Sequence, residues 1–287
     1  MVYTAKRILK NFTPKKMSPI RLLRKIIPAN GPAGEPVIEV PCRQLSFPAA
    51  DSQSAPSPYP FFVDSNNPLE ELGRKYLPTK RDHNYLPLYW MYFRDIRFRA
   101  RKVCEIGLQR DASLRMWEEF FPNAEIYGID IDPACRQFEG GRRRVFIGDQ
   151  SDRQFLSRFL DDVGGGLDIV IDDGSHLIDH QLATFESLFP ALNRHGIYAM
   201  EDTGPCVGDY QRITVNTLQQ LAANILYWPE GYRPEDWPNL SSFPKTATWA
   251  DRSVIGVAVF RWIAFVFRGD NPGDNPYLLR GSQASTS

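Results

Sequence analysis

Two short apolar runs that each close on carboxylates dominate the hydrophobic pattern. Residues 167–176 read LDIVIDDGSH and residues 196–202 read GIYAMED. Between them Leu182, Phe185, Leu188 and Leu192 recur at helical spacing, which predicts a helix over residues 178–192. Strand, helix and strand of this length form a βαβ unit, so the two strands are expected to be parallel neighbours. Upstream, KVCEIG at 102–107 reads as a strand entering a glycine turn, and LQRDASLRMWEEFF follows as a helix from about Ala112. EIYGIDID at 125–132 is a second strand with an acidic end, and RRRVFIGDQSD at 142–152 a third, ending at Gly148-Asp149-Gln150. A helix is expected from about Ile213 to Leu226, and the apolar SVIGVAVF and WIAFVF over 253–267 predict a final antiparallel strand pair.

The pattern is therefore that of an α/β fold with a Rossmann-like sheet, mostly parallel and closed by an antiparallel C-terminal pair. A short helical segment precedes it. Leu69, Leu72 and Tyr76 share one face of a first helix, and Leu88, Tyr92, Phe93 and Ile96 mark another, with Pro87 in its first turn. Lys80, His83 and Tyr85 lie just before that helix and read as loop and cap residues. Four regions follow: a loose basic arm and Pro/Ser-rich linker over 1–62, the helical segment over 63–100, the sheet domain over 101–270, and a flexible tail over 271–287.

Charge alters this picture only at the N-terminus. The 287 residues balance 34 Lys and Arg against 34 Asp and Glu, yet residues 1–34 carry eight basic residues and no acid. The rest is net negative, which argues against nucleic acid as a partner. The arm, with Ile8, Leu9, Phe12, Ile20, Leu22, Leu23, Ile26 and Ile27 among its cations, can either lie on an anionic membrane surface or stay solvated. No run of about 18 apolar residues predicts a membrane span. The four cysteines form no CxxC pair and read as free thiols of a reducing, cytoplasmic compartment.

The candidate chemistry lies at the carboxyl edge of the sheet, where open α/β sheets bind ligands. Asp172, Asp173, Glu201 and Asp202 converge there and repel one another unless a hard divalent cation such as Mg²⁺ lies between them. Turn chemistry accounts for either acidic pair alone, but less readily for both together with His176. Asp172 points to the opposite strand face from Asp173 and reads as structural. Gly107 lets a ligand approach the backbone, and Asp130, 23 residues on, is placed to accept the two hydroxyls of a ribose. GxGxxG is absent, which disfavours a dinucleotide and suits S-adenosylmethionine. Asp149 and Gln150 either pair with an adenine edge or belong to a helix N-cap. Tyr227, Trp228, Tyr232, Trp237, Phe243 and Trp249 suit a flat or sugar-like substrate, or else pack a long loop on the body.

Several of these stretches together resemble a known family. EIG, SLRMW, FPNAEIYGIDI, GDQSD, IDDGSH and the downstream ED resemble the metal-dependent sugar O-methyltransferases of antibiotic biosynthesis, of the mycinamicin and macrocin type. The resemblance covers roughly residues 68–205, and KYLPTK…HNY is similar to the family's GTDK…H…Y segment without its Gly and Asp. It implies a class I methyltransferase sheet, S-adenosylmethionine held by Glu105, Gly107, Ser113, Asp130, Asp149 and Gln150, and Mg²⁺ held by Asp173, Glu201 and Asp202. It implies His176 as the catalytic base and a sugar hydroxyl of a glycosylated small molecule as acceptor. It leaves room for a homo-oligomer. The competing expectations are an O-methyltransferase of catechol-like diols and a cofactor-binding scaffold without turnover.

Overall fold

Seven strands form one sheet in the order β3-β2-β1-β4-β5-β7-β6. They are β1 (Lys102–Ile106), β2 (Glu125–Asp130), β3 (Arg143–Ile147), β4 (Leu167–Asp172), β5 (Leu192–Glu201), β6 (Val254–Val259) and β7 (Ile263–Arg268). The first five run parallel, while β7 is antiparallel to both β5 and β6. The mostly parallel Rossmann-like sheet and its C-terminal antiparallel pair are thus as the sequence pattern predicts. The structure is a computed structural model, and it describes residues 64–203, 217–222, 225 and 249–270. These lie in one of the chain's two compact units, residues 51–287. The basic arm, the linker, the tail, Cys42, Cys206 and the aromatics from Tyr227 to Phe243 lie outside the described residues. No helix among the described residues is long and apolar enough to cross a membrane.

Strand alternation divides the core into two layers. Val103, Ile126, Val145, Ile169, Ile197 and Phe265 face one side of the sheet. Cys104, Tyr127, Val170, Tyr198 and Val266 face the other. The N-terminal helices α1 (Pro68–Tyr76), α2 (Thr79–Asp82) and α3 (Leu86–Phe93) come first along the chain. Leu69, Leu72, Leu86, Leu88, Tyr89 and Phe93 of α1 and α3 join the first layer with Leu114, Trp117 and Phe120 of α4 (Ala112–Phe120). The helical segment over 63–100 is therefore part of the same core as the sheet. The second layer is covered by α5 (Arg153–Val163), α6 (Ile178–Leu188) and the helical residues 217–222.

Local chemistry sets the boundaries. Asn67 caps α1 by accepting from the Leu69 amide, with Pro68 in the first turn. Asp152 caps α5, which ends on Gly164 in the left-handed region at φ 68°. The helix expected over 178–192 stops at Leu188, because Pro190 cannot continue it. A 3₁₀ turn, Phe189–Ala191, leads directly into β5, which begins four residues earlier than its apolar run suggested. Trp249 opens the short α7 (Trp249–Ser253) and packs edge-on against Phe189, ring centres 5.7 Å apart. That is the packing alternative for this aromatic. Cys104 and Cys135 are buried free thiols.

Candidate active site

A cavity of about 460 Å³ opens along the carboxyl ends of β1, β2, β4 and β5, the switch region of the sheet. Gly107, Ser113, Asp130, Asp149, Gln150, Asp173, His176 and Asp202 all line it. Glu105 and Glu201, the other two predicted site residues, lie beneath it and are fully buried.

At one end, β1 turns at Gly107 with φ +84°. A Cβ there would run into the backbone carbonyl of Asp173, so the tips of β1 and β4 can meet only at a glycine. Asp130 fastens the following loop. Its Oδ2 accepts from the Leu108 amide at 2.7 Å, and its Oδ1 accepts from the Asp132 amide at 2.8 Å. Oδ2 also accepts a longer bond from the Gln109 amide at 3.4 Å, and Asp130 lines the cavity beside this loop.

Asp149 accepts from both the amide and the hydroxyl of Ser151 at 2.8 Å. Gln150 is buried, and both ends of its amide are engaged within the protein. Its Nε2 donates to Asp172 at 3.1 Å and to Thr184 at 3.2 Å, and its Oε1 accepts from the Ser175 amide at 2.7 Å. Gln150 thus clamps the loop after β4, and pairing with an adenine edge would require breaking that clamp. The residue capping α5 is Asp152, not Asp149 or Gln150.

At the other end lies a buried ionic hub. Lys80 is 1% exposed, and its ammonium reaches Asp173 Oδ2 at 2.5 Å, Glu201 Oε1 at 2.9 Å and Glu105 Oε1 at 3.0 Å. An ammonium has three donors, so each carboxylate takes one. Burial alone would drive the proton off Lys80, but Asp173, Glu201 and Glu105 outweigh it and hold the ammonium well above the usual lysine range. Glu105 also accepts from Ser113 Oγ at 2.8 Å and Trp117 Nε1 at 3.2 Å. It does not line the cavity, because a side chain at this position of β1 faces the helical layer. Ser113 reaches the cavity but spends its hydroxyl proton on Glu105.

Glu201 accepts from the Tyr89 hydroxyl as well as from Lys80. Burial and the nearby Asp173 push its carboxyl up to about 8, against the pull of Lys80 and Tyr89. The Tyr85 hydroxyl donates to Asp202 Oδ1 at 2.9 Å. Tyr85 and Tyr89 stand one helical turn apart and so grip neighbouring carboxylates from the same side. Sequence reasoning passed over Tyr89 and read Lys80 and Tyr85 as loop and cap residues, although the family resemblance includes both in KYLPTK…HNY. The available signal was a lysine and two tyrosines at helical spacing beside an otherwise apolar helix.

Asp173, His176 and Asp202 form the one ligand-type cluster among the described residues, each offering an atom within 4.8 Å of the others. His176 Nε2 lies 3.5 Å from Asp202 Oδ2, while Nδ1 is buried without a hydrogen-bond partner. Glu105, Asp173 and Glu201 share a single lysine, Asp202 adds a fourth carboxylate beside them, and burial pushes Glu105 and Glu201 up. A hard cation with oxygen ligands fits that excess of negative charge. Asp173 and Asp202 present it to the cavity; Glu201 adjoins them but is turned toward Lys80 and Tyr89. Asp172 is buried on the opposite face, as expected, where it accepts from Tyr198.

Backbone strain concentrates at the same place. Among the described residues six non-glycines have positive φ, and four of them, Leu77, Gln109, His176 and Asp202, line the cavity. Such conformations persist where surrounding structure holds them, which is common at ligand sites.

No family model matches the chain. It is 36% identical over 219 residues to mycinamicin VI 2''-O-methyltransferase of Micromonospora griseorubida, covering 71% of this chain and 53% of the relative. It is 34% identical over 206 residues to 8-demethyl-8-alpha-L-rhamnosyl tetracenomycin-C 2'-O-methyltransferase of Streptomyces olivaceus, covering 67% and 52%. Demethylmacrocin O-methyltransferase of Streptomyces fradiae is 32% identical over 216 residues, covering 71% and 53%. The chain spans about half the length of these curated relatives. Among solved structures, the MycE methyltransferase of the mycinamycin pathway, in complex with Mg, SAH and mycinamycin VI, superposes with a TM-score of 0.60 at 31% identity. That match covers 75% of this chain and 59% of MycE.

Proposed function

We propose that this chain, a homologue of the sugar O-methyltransferases of macrolide and tetracenomycin biosynthesis, transfers a methyl group from S-adenosylmethionine to a sugar hydroxyl of a glycosylated small molecule. The observation that carries the reading is one cavity joining the Gly107–Asp130 end to the Asp173–His176–Asp202 cluster. A nucleoside-bearing donor fits the first end, and a hydroxyl held for deprotonation fits the second.

Gly107 and Asp130 seat the donor, with Asp149 at the wall. Asp173 and Asp202, backed by Glu201, would hold Mg²⁺. When bound, that cation lowers the pKa of a coordinated hydroxyl and fixes its oxygen. His176 lines the same cavity and takes the hydroxyl proton on Nε2, the ring atom facing Asp202. In-line transfer from a sulfonium then requires mainly alignment, which the rigid strand tips supply.

The test is methyl transfer from S-adenosylmethionine to a panel of rhamnosyl and other deoxysugar glycosides. It is run with Mg²⁺, with a chelator, and with Asp173→Ala. Transfer that needs both the cation and Asp173 supports the reading. Transfer that survives chelator and substitution alike rules out the carboxylate-metal assignment.

A further inference from the structure

We propose that Lys80 is a positioning residue that orients Asp173 and Glu201 for a divalent cation and pins the cavity's outer rim to them. This rests on the metal reading above. Three observations carry it.

Lys80 is buried, yet all three of its donors are directed at carboxylates. It comes from α2, while its partners come from the tips of β1, β4 and β5. The ammonium is therefore the point where the N-terminal helical segment meets the acidic strand ends. Its neighbours Leu77, Pro78, Thr79 and His83 line the cavity from above, so the bond that orients the acids also fixes this rim.

The atoms matter as much as the charges. Lys80 takes Oδ2 of Asp173 and Oε1 of Glu201. The carboxylate planes are set by the atoms Lys80 holds. Glu105 serves the same end from below. Fixed by Ser113 and Trp117, it gives the ammonium a third partner and a defined position. Without Lys80, the side chains of Glu105, Asp173 and Glu201 lose the shared partner that fixes their orientation.

Residues that hold metal ligands by their far atoms typically contribute about 10- to 100-fold to metal affinity. The experiment titrates Mn²⁺, which accepts the same oxygen ligands and is read by its paramagnetism, into the wild-type chain, Lys80→Met and Lys80→Arg. Circular dichroism of each variant establishes that the measured population is folded. Mn²⁺ dissociation constants should rise about 10- to 100-fold in Lys80→Met. Lys80→Arg keeps the charge but moves the donors, and should weaken binding by a smaller factor. A lysine that only stabilised the fold would lower the melting temperature and leave the Mn²⁺ affinity of the folded protein unchanged. Unchanged or tighter binding in folded Lys80→Met overturns the proposal while the metal reading stands. Should Lys80→Met not fold, wild-type affinity in Lys80→Arg overturns it in the same way. Absence of Mn²⁺ binding by the wild-type chain removes the metal reading, and this proposal with it.

Discussion

His176 and Asp202 face each other across 3.5 Å, and both have left-handed backbones, at φ 57° and 52°. For residues with a Cβ this conformation costs about 1–2 kcal/mol each. The tips of β4 and β5 thus hold two strained residues side by side at the cavity. Stability and catalysis should separate at this point. His176→Gly relieves the strain and should leave the melting temperature unchanged or raise it, while methyl transfer falls about 10²–10⁴-fold with loss of the base. His176→Ala should lose the same activity without the gain in stability. Thermal unfolding and turnover of the pair test this; retained turnover in either variant would remove His176 as the base.

Gly107 offers a sharper steric test. The combination of φ +84° and a Cβ aimed at the Asp173 carbonyl leaves an alanine no low-energy solution. Gly107→Ala should cost about 1–3 kcal/mol of stability and separate β1 from β4 at the donor end. Binding of S-adenosylhomocysteine, measured calorimetrically, should weaken more than tenfold. Full affinity together with full stability would mean that the two strand tips are not in contact.

Asp172 makes stability depend on pH. It is fully buried, accepts from Tyr198 at 3.0 Å, and burial pushes its carboxyl up to about 7. The folded chain therefore keeps a proton that the unfolded chain releases near the ordinary aspartate value. The resulting stabilisation is fully present below that value and is lost as pH rises toward 7, a span worth up to about 4 kcal/mol. Asp172→Asn removes the titration. In a chelator, the melting temperature of the wild type should fall more steeply between pH 5 and 7.5 than that of the variant. Glu201 titrates in the same direction in both proteins, so their difference isolates Asp172. Equal slopes would show that Asp172 stays ionised on its hydrogen bonds.

The strands and acidic tips were legible because each is local: apolar runs of five or six residues ending in carboxylates have few other readings. Asp173, His176 and Asp202 meet because parallel neighbouring strands bring their ends together, which the βαβ spacing already implies. The contacts of Lys80 were not legible, although the resemblance includes it in KYLPTK…HNY. Its partners lie 25, 93 and 121 residues downstream, and a lysine before a short helix ordinarily reaches solvent. Glu105 is a different case. Alternation shows that it points away from Cys104, but only the packing of α4 reveals that this side holds Ser113 and Trp117 instead of the cavity. The end of α6 was overrun because the apolar spacing continues through Leu192, although Pro190 had already closed the helix.

Cation binding should register as stability before any acceptor is known. Asp173 and Asp202 are partly open to the cavity, and their mutual repulsion, with that of Glu201 and Glu105, exceeds what one lysine offsets. A ligand that binds only the folded state stabilises it by about 2.7 kcal/mol at a hundred times its dissociation constant. For a chain of this size that amounts to a rise in melting temperature of roughly 5–10 °C. Mg²⁺ should produce this rise in the wild type, and a chelator should reverse it. Asp202→Asn keeps the acceptor for the Tyr85 hydroxyl but removes a charge from the cluster. Its melting temperature without Mg²⁺ should equal or exceed that of the wild type, because repulsion has been relieved, and its response to Mg²⁺ should largely vanish. The opposite pairing, a less stable variant that still responds fully to Mg²⁺, would place the cation somewhere other than between these carboxylates.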